Sequence, residues 1–190
     1  AHAARLAART ASAGPLSIYV HIPFCDTICY YCACNKIITK DHARADAYLD
    51  TLLREMAMKA SLVKGSREIA QLHLGGGTPT FLNDAQMTRL FEGLRSHFRI
   101  ADSAQCSIEM DPRGVSAARV AHLGSLGFNR ISVGVQDFDP VVQRAVNRIQ
   151  SVEQTLSIID ACRTQGLQSV NVDLIYVMPK QSLEGFSRTL

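Results

Sequence analysis

The sequence predicts an α/β protein in which parallel strands are joined by helical crossovers, and three observations point there. Apolar runs of strand length alternate with stretches of helical period, and the order repeats with no Pro- or Ser-rich linker between units. The residues best suited to chemistry collect just after the strands. Such a chain forms either an open doubly wound sheet or a barrel, and periodicity does not choose between them.

Strands are expected at 16–22, 69–74, 105–110, 128–135 and 169–175. The first helix, 43–63, places Ala45, Leu49, Leu52, Leu53, Met56, Ala60 and Val63 at three- and four-residue steps, one apolar stripe, with Gly65 to end it. A second runs over 84–98, and a third over 116–126 is closed by Gly127. The fourth, 151–165, opens on a capping box of Ser151 and Gln154 and stops at Gly166. A last helix begins near Ser182.

Length allows one domain or a large part of one, and 47% hydrophobic with 19% charged residues is ordinary for a globular chain. Twenty Lys and Arg against 17 Asp and Glu give a net charge of +3 without a basic block, so neither nucleic acid nor an anionic membrane is implied. No apolar run approaches the roughly 18 residues of a spanning helix, and no signal peptide is visible. The cytoplasm is the default location. Residues 1–13, with Arg5, Arg9 and no acid, have the composition of a transit peptide. The blander reading is favoured: a chain opening at Ala1 and ending at Leu190 inside an apparent helix looks cut from a longer protein, with 1–14 a tail or arm and 15–190 the folded domain.

Four cysteines, Cys25, Cys29, Cys32 and Cys34, follow the first strand, three of them spaced C-x3-C-x2-C. Thiolates bind soft metal centres, and a 4Fe-4S cluster usually takes four of them. A tight set of three leaves one iron open to another ligand. A disulfide framework belongs to small secreted chains, and structural zinc usually takes two separated ligand pairs. The spacing therefore favours iron–sulfur over both. Cys106 and Cys162 read as core residues.

In either outcome the βα loops emerge at the carboxyl ends of the strands, where sites lie. There stand Gly75-Gly76-Gly77-Thr78-Pro79-Thr80, then Glu109 and Asp111, then Gln136 and Asp137, with Asn171 and Asp173 in the fifth strand. The triple glycine is either a tight turn or a place where bare backbone approaches a ligand. A phosphate loop would want Gly-Lys-Ser/Thr, and no Lys occurs between Gly65 and Met178. Asp173, between Val172 and Leu174, needs a partner if buried: either Arg130 or Arg148, or a bound ligand. Glu109 at a strand end favours a ligand hydroxyl over a surface role. His21 is placed to brace the cysteine loop, whereas His2, His42, His73, His97 and His122 read as structural or solvated.

The stretch from Tyr19 through Pro23-Phe24-Cys25 to Cys29-Tyr30-Tyr31-Cys32-Ala33-Cys34-Asn35-Lys36 resembles the radical S-adenosylmethionine (SAM) enzymes, and within them the oxygen-independent coproporphyrinogen III oxidase family. The likeness continues through Gly75-Gly76-Gly77-Thr78-Pro79-Thr80, Ser107 to Arg113, Gly127 to Phe138, Val146-Asn147-Arg148 and Asp173 to Tyr176, covering nearly everything from Pro15 onward. It implies a partial (β/α)6 radical SAM barrel, here truncated after about five βα units. Cys25, Cys29 and Cys32 would hold three irons of a 4Fe-4S cluster, with SAM chelating the fourth. It further implies a second SAM beside the first. Tyr19, Gly76 and Glu109 would serve the first molecule, and Tyr31, Gly77, Thr78, Gln136, Arg148 and Asp173 the second.

The implied reaction decarboxylates two propionates of coproporphyrinogen III to vinyls, giving protoporphyrinogen IX in haem biosynthesis. A monomer served by a low-potential electron donor such as flavodoxin or ferredoxin is expected. Cys34, expected near the second SAM or the substrate as a catalytic residue, separates this reading from a similar haem-chaperone branch that commonly has Phe there. Alternatively it is only a small residue in a crowded loop. Two departures stand out: Val177 occupies a position where the family usually has Gly, and the last barrel strand and a C-terminal domain are lacking.

Overall fold

Alternation of apolar and helical stretches does produce alternating strands and helices. The structure, a computed structural model, describes residues 14–190. The tail expected at 1–14, with His2, Arg5 and Arg9, lies outside the described residues except for Gly14. The strands are β1 (Leu16–Ile22), β2 (Phe24–Cys25), β3 (Ile37–Ile38), β4 (Glu68–Gly76), β5 (Arg99–Met110), β6 (Arg130–Gln136) and β7 (Ser169–Leu174). The helices are α1 (Arg44–Leu62), α2 (Asp84–His97), α3 (Ala117–Leu126), α4 (Pro140–Ala145), α5 (Val152–Thr164) and α6 (Leu183–Thr189).

Strand order settles what periodicity left open. Five strands form one sheet in the order β1-β4-β5-β6-β7, every pairing parallel. A doubly wound sheet reverses direction at a switch point, whereas this order only advances, so the chain winds one way as in a barrel. Helix α1 packs on α2, α2 on α3 and α3 on α5, the sequence of an outer ring. Between sheet and helices lies the core, with Ile22, Leu49, Ile69, Leu72, Leu74, Leu90, Phe91, Ile108 and Phe128 all fully buried. The barrel is partial, with β1 and β7 as its edges. Among the described residues no helix is long and apolar enough to cross a membrane.

Several local expectations need correction. β5 begins at Arg99, six residues before its expected start, because the polar opening Arg99–Ser103 hides a strand that pairs with Glu68 and Ile69 before a register shift. Gly65 does not cap α1, which ends on an extended Val63. Ser151 accepts from the Gln154 backbone, so one half of the expected box is present, while the reciprocal capping box is made by Asn83 and Gln86 at α2. Gly127 and Gly166 do adopt the left-handed conformation that ends α3 and α5.

Candidate active site

The loops after β1, β4 and β5, strands β6 and β7 and Arg148 after α4 line a cavity of about 450 Å³. Cys25, Cys29, Cys32 and Cys34 line it together with Tyr31, Gly76, Gly77, Thr78, Glu109, Gln136, Arg148 and Asp173. Tyr19 is the one expected site residue outside it. At 58% exposure it lies on the face of β1 opposite buried Val20 and Ile22, stacked on His73, whose Nε2 is 3.4 Å from Glu109 Oε1.

The cysteine loop is closed at its base by the two-residue β2–β3 ladder, in which Ile37 N–H donates to the Pro23 carbonyl (2.7 Å) and Thr39 N–H to that of Cys25 (3.0 Å). His21 braces it as expected: Nε2 lies 2.9 Å from the Asn35 carbonyl, and the Tyr19 hydroxyl meets Nδ1 at 3.0 Å. Lys36 Nζ donates to the Cys32 carbonyl at 2.7 Å. On the far side the loop rests on residues after α4, with Tyr30 N–H donating to the Val146 carbonyl. Tyr31 packs beside Val142, Val146 and Met178, and burial pushes its phenol up despite the opposing charge of Arg148.

The glycine run is a floor as well as a turn. Gly76 takes a left-handed φ of +124° and donates its N–H to Glu109 Oε2 at 3.2 Å, which fixes that carboxylate. A Cβ on Gly77 would stand 2.8 Å from the Phe24 carbonyl oxygen and 2.9 Å from Cys25 Sγ, so only glycine lets β4 approach the thiol this closely. Thr78 Oγ1 then donates to Cys25 Sγ at 3.4 Å. Burial pushes the Cys25 thiol up, and the Thr78 bond pulls against it.

Arg148 is not the partner of Asp173, and neither is Arg130. Asp173 lies on the exposed edge strand β7, where water solvates it and the Ser132 hydroxyl reaches both carboxylate oxygens at 2.8 Å. Arg148, 7% exposed, gives Nη1 to Asp111 Oδ2 at 3.0 Å and Nη2 to the Gly134 carbonyl at 2.6 Å. Among the described residues its Nε has no partner. Arg113 grips the same Asp111 through Nε (3.0 Å) and Nη2 (2.6 Å). Burial would raise the Asp111 carboxyl, but the Arg113 bonds and both guanidinium charges outweigh it and hold the group below the usual carboxylate range. Both arginines also reach Cys29 Sγ, Arg148 at 3.6 Å and Arg113 at 3.7 Å.

Sequence reasoning counted Asp111 with the polar rim but gave no role to Arg113 or Ser132, and the fold brings all three into this wall. Asp137, counted with the rim, instead turns inward. It is 2% exposed and accepts from Asp139 N–H, Gln181 Nε2 and Thr189 Oγ1, tying α6 to β6.

The donor set fits a thiolate-held cluster. The cysteines are free, cationic groups flank Cys29, and glycine leaves room at Cys25. Among the described residues no three Cys, His, Asp or Glu side chains converge on a single-ion site.

Comparison with known proteins agrees. Over 178 residues, 93% of this chain and 39% of the relative, it is 51% identical to the oxygen-independent coproporphyrinogen III oxidase of Pseudomonas aeruginosa. The Escherichia coli K12 protein of the same name is 51% identical over 93% of this chain and 38% of the relative. The chain thus spans about two fifths of these curated relatives. A solved structure of coproporphyrinogen III oxidase from Escherichia coli, described as a radical SAM enzyme, superposes with a TM-score of 0.92 at 47% identity, over 97% of this chain and 42% of that one. Residues 19–190 match the family model of the radical SAM superfamily, and with strand order, thiol spacing and relatives in agreement, the chain belongs to that superfamily.

Proposed function

We propose that this protein catalyses the oxidative decarboxylation of two propionates of coproporphyrinogen III to vinyl groups, giving protoporphyrinogen IX in haem biosynthesis. The observation that carries the reading is the single cavity shared by the three C-x3-C-x2-C thiols and the polar ends of four further strands. Bound there, a 4Fe-4S cluster and SAM would supply reductive cleavage of the sulfonium and so the hydrogen abstraction that starts the reaction.

Cys25, Cys29 and Cys32 would hold the cluster, leaving one iron for the amino-acid end of SAM. Gly76 presents bare backbone to it, and Glu109, already oriented by the Gly76 N–H, accepts a ribose hydroxyl. Tyr31, Gly77, Thr78, Gln136, Arg148 and Asp173 face the same space and suit a second SAM. For Arg148 the unpartnered Nε is the donor still free for that molecule's carboxylate. Cys34, an exposed thiol on the cavity wall, is placed toward substrate. Tyr19, stacked on His73 beside Glu109, stands on the same face of the sheet and suits the first SAM. A cytoplasmic monomer reduced by flavodoxin or ferredoxin completes the proposal.

The test uses the full-length protein, reconstituted anaerobically with iron and sulfide. Brown colour, 5'-deoxyadenosine formation on reduction, and conversion of coproporphyrinogen III are expected, all lost in Cys29→Ala. Tight haem binding with no decarboxylation would replace this reading with the haem-chaperone one.

A further inference from the structure

The three cluster thiols are not equivalent. Cys25 receives a hydroxyl, whereas Cys29 receives two guanidinium groups. Among the described residues no guanidinium hydrogen bond reaches Cys25 or Cys32. The two arginines come from different loops, Arg113 after β5 and Arg148 after α4, and are held together by one carboxylate, Asp111 at the end of β5. Arg113 binds it through Nε and Nη2, Arg148 through Nη1, and the second Nη of Arg148 is fixed by the Gly134 carbonyl. The Asp111, Arg113 and Arg148 side chains are 14%, 24% and 8% exposed, so the frame is largely shielded from water and its charges act at reduced screening.

Two cations and one anion leave a surplus positive charge against Cys29. Reducing a thiolate-held cluster adds negative charge, and hydrogen bonds to its sulfurs stabilise the more negative state, which raises the reduction potential. We infer that Asp111, Arg113 and Arg148 form an electrostatic frame that raises the potential of the cluster through Cys29, with Arg113 acting through that thiol. This rests on the cluster placed at these cysteines under the proposed function, and it adds which ligand is tuned, by which residues and in which direction. Asp111 opposes the effect by its own charge while holding both cations in place, so the frame gives two substitutions of opposite sign.

The test is a redox titration of the full-length, anaerobically reconstituted protein, followed by the electron paramagnetic resonance of the reduced cluster, without SAM. Arg113→Gln, which removes the cation at nearly constant shape, is expected to make reduction about tenfold less favourable, about 59 mV for one electron. Arg113→Lys restores the charge and is expected to recover at least half of that loss. Asp111→Asn removes the anion and is expected to shift the potential upward. A merely structural frame would loosen the loop in both variants and move the potential the same way in each.

A change of less than about twofold in Arg113→Gln, at wild-type iron content, would overturn the inference. So would shifts of equal sign in Arg113→Gln and Asp111→Asn. If Arg113→Gln fails to load iron, Arg113→Lys and Asp111→Asn decide by the same signs. A wild-type protein that loads no cluster overturns this inference and the proposed function together. A wild type that cleaves SAM beside an unshifted Arg113→Gln removes only the inference.

Discussion

The Asn147 side-chain amide donates to the Ile28 carbonyl at 2.7 Å, joining the turn after α4 to the middle of the cysteine loop. Two neighbours act alongside it: the Val146 carbonyl accepts from Tyr30 N–H at 3.0 Å, and Arg148 Nη1 reaches Cys29 Sγ at 3.6 Å. Asn147 itself sits at φ +54°, a left-handed conformation that Asn tolerates better than most residues. Asn147→Ala is expected to cost about 2 kcal/mol, roughly half from the hydrogen bond and half from the backbone conformation. Asn147→Gly keeps the conformation accessible and is expected to cost about half as much. Urea midpoints of the two variants separate these contributions, and equal losses would refute the backbone part.

Gly77 carries the closest glycine approach to a cluster thiol. A methyl group there meets the Phe24 carbonyl oxygen at 2.8 Å and Cys25 Sγ at 2.9 Å, and one of these contacts is backbone that cannot swing aside. Gly77→Ala is therefore expected to destabilise by about 1–3 kcal/mol, as overpacking does, and to displace Cys25. Iron bound per chain after reconstitution should fall well below wild type, a loss that the stability change alone does not predict. Wild-type iron content in this variant would show that the loop accommodates the methyl group.

Val177 is a β-branched residue at φ +64°, in the loop that follows β7. Such a conformation is costly for any residue with a Cβ and most so for a branched one. The loop is still pinned, with Ile175 N–H donating to the Gln136 carbonyl and Gln181 Nε2 to the Ile175 carbonyl. Val177→Gly relieves that cost, and because Val177 is 85% exposed it removes no packing. A net gain of about 0.5–1 kcal/mol is expected after the added freedom of the unfolded chain is set against the relief. A lower denaturation midpoint would contradict this.

What the sequence disclosed depended on how local each determinant is. Strands β1, β4, β6 and β7 lie within a residue or two of their expected ends because buried parallel strands are short apolar runs. The start of β5 escaped because its polar residues face outward beside Glu68, a pairing visible only in three dimensions. Helix α4 has six residues, too few to establish a period. In the site, thiol spacing and glycine run are local features and were legible. The choice of partners was not: Arg148 meets Asp111 across 37 positions because β5 and the segment after α4 happen to end side by side, and Asp173 is exposed because β7 is an edge. Tyr19 matched a motif, and alternation along β1 sets it opposite buried Val20 and Ile22, beside His73 at the edge of the cavity lining.

The Asp111 carboxyl ties pH to the integrity of the site. Its folded-state pKa is held below the usual carboxylate range by Arg113 and Arg148, against the effect of burial. For a depressed carboxylate the stabilisation is full above the unfolded value, about 3.9, and is lost as pH falls through the folded value. Wild type is therefore expected to keep this contribution at pH 7 and at pH 5 and to lose it below about pH 4. Asp111→Asn cannot form the charged pairs at any pH and leaves two buried cations facing each other, so it should be the less stable protein at neutral pH by a few kcal/mol. The gap between the two proteins should narrow as the pH drops below about 4, because protonation turns the wild-type group into a near-isostere of the variant. Urea midpoints measured between pH 7 and pH 3 check this, and a gap that stays constant across the range would mean that Asp111 holds its arginines by shape rather than by charge.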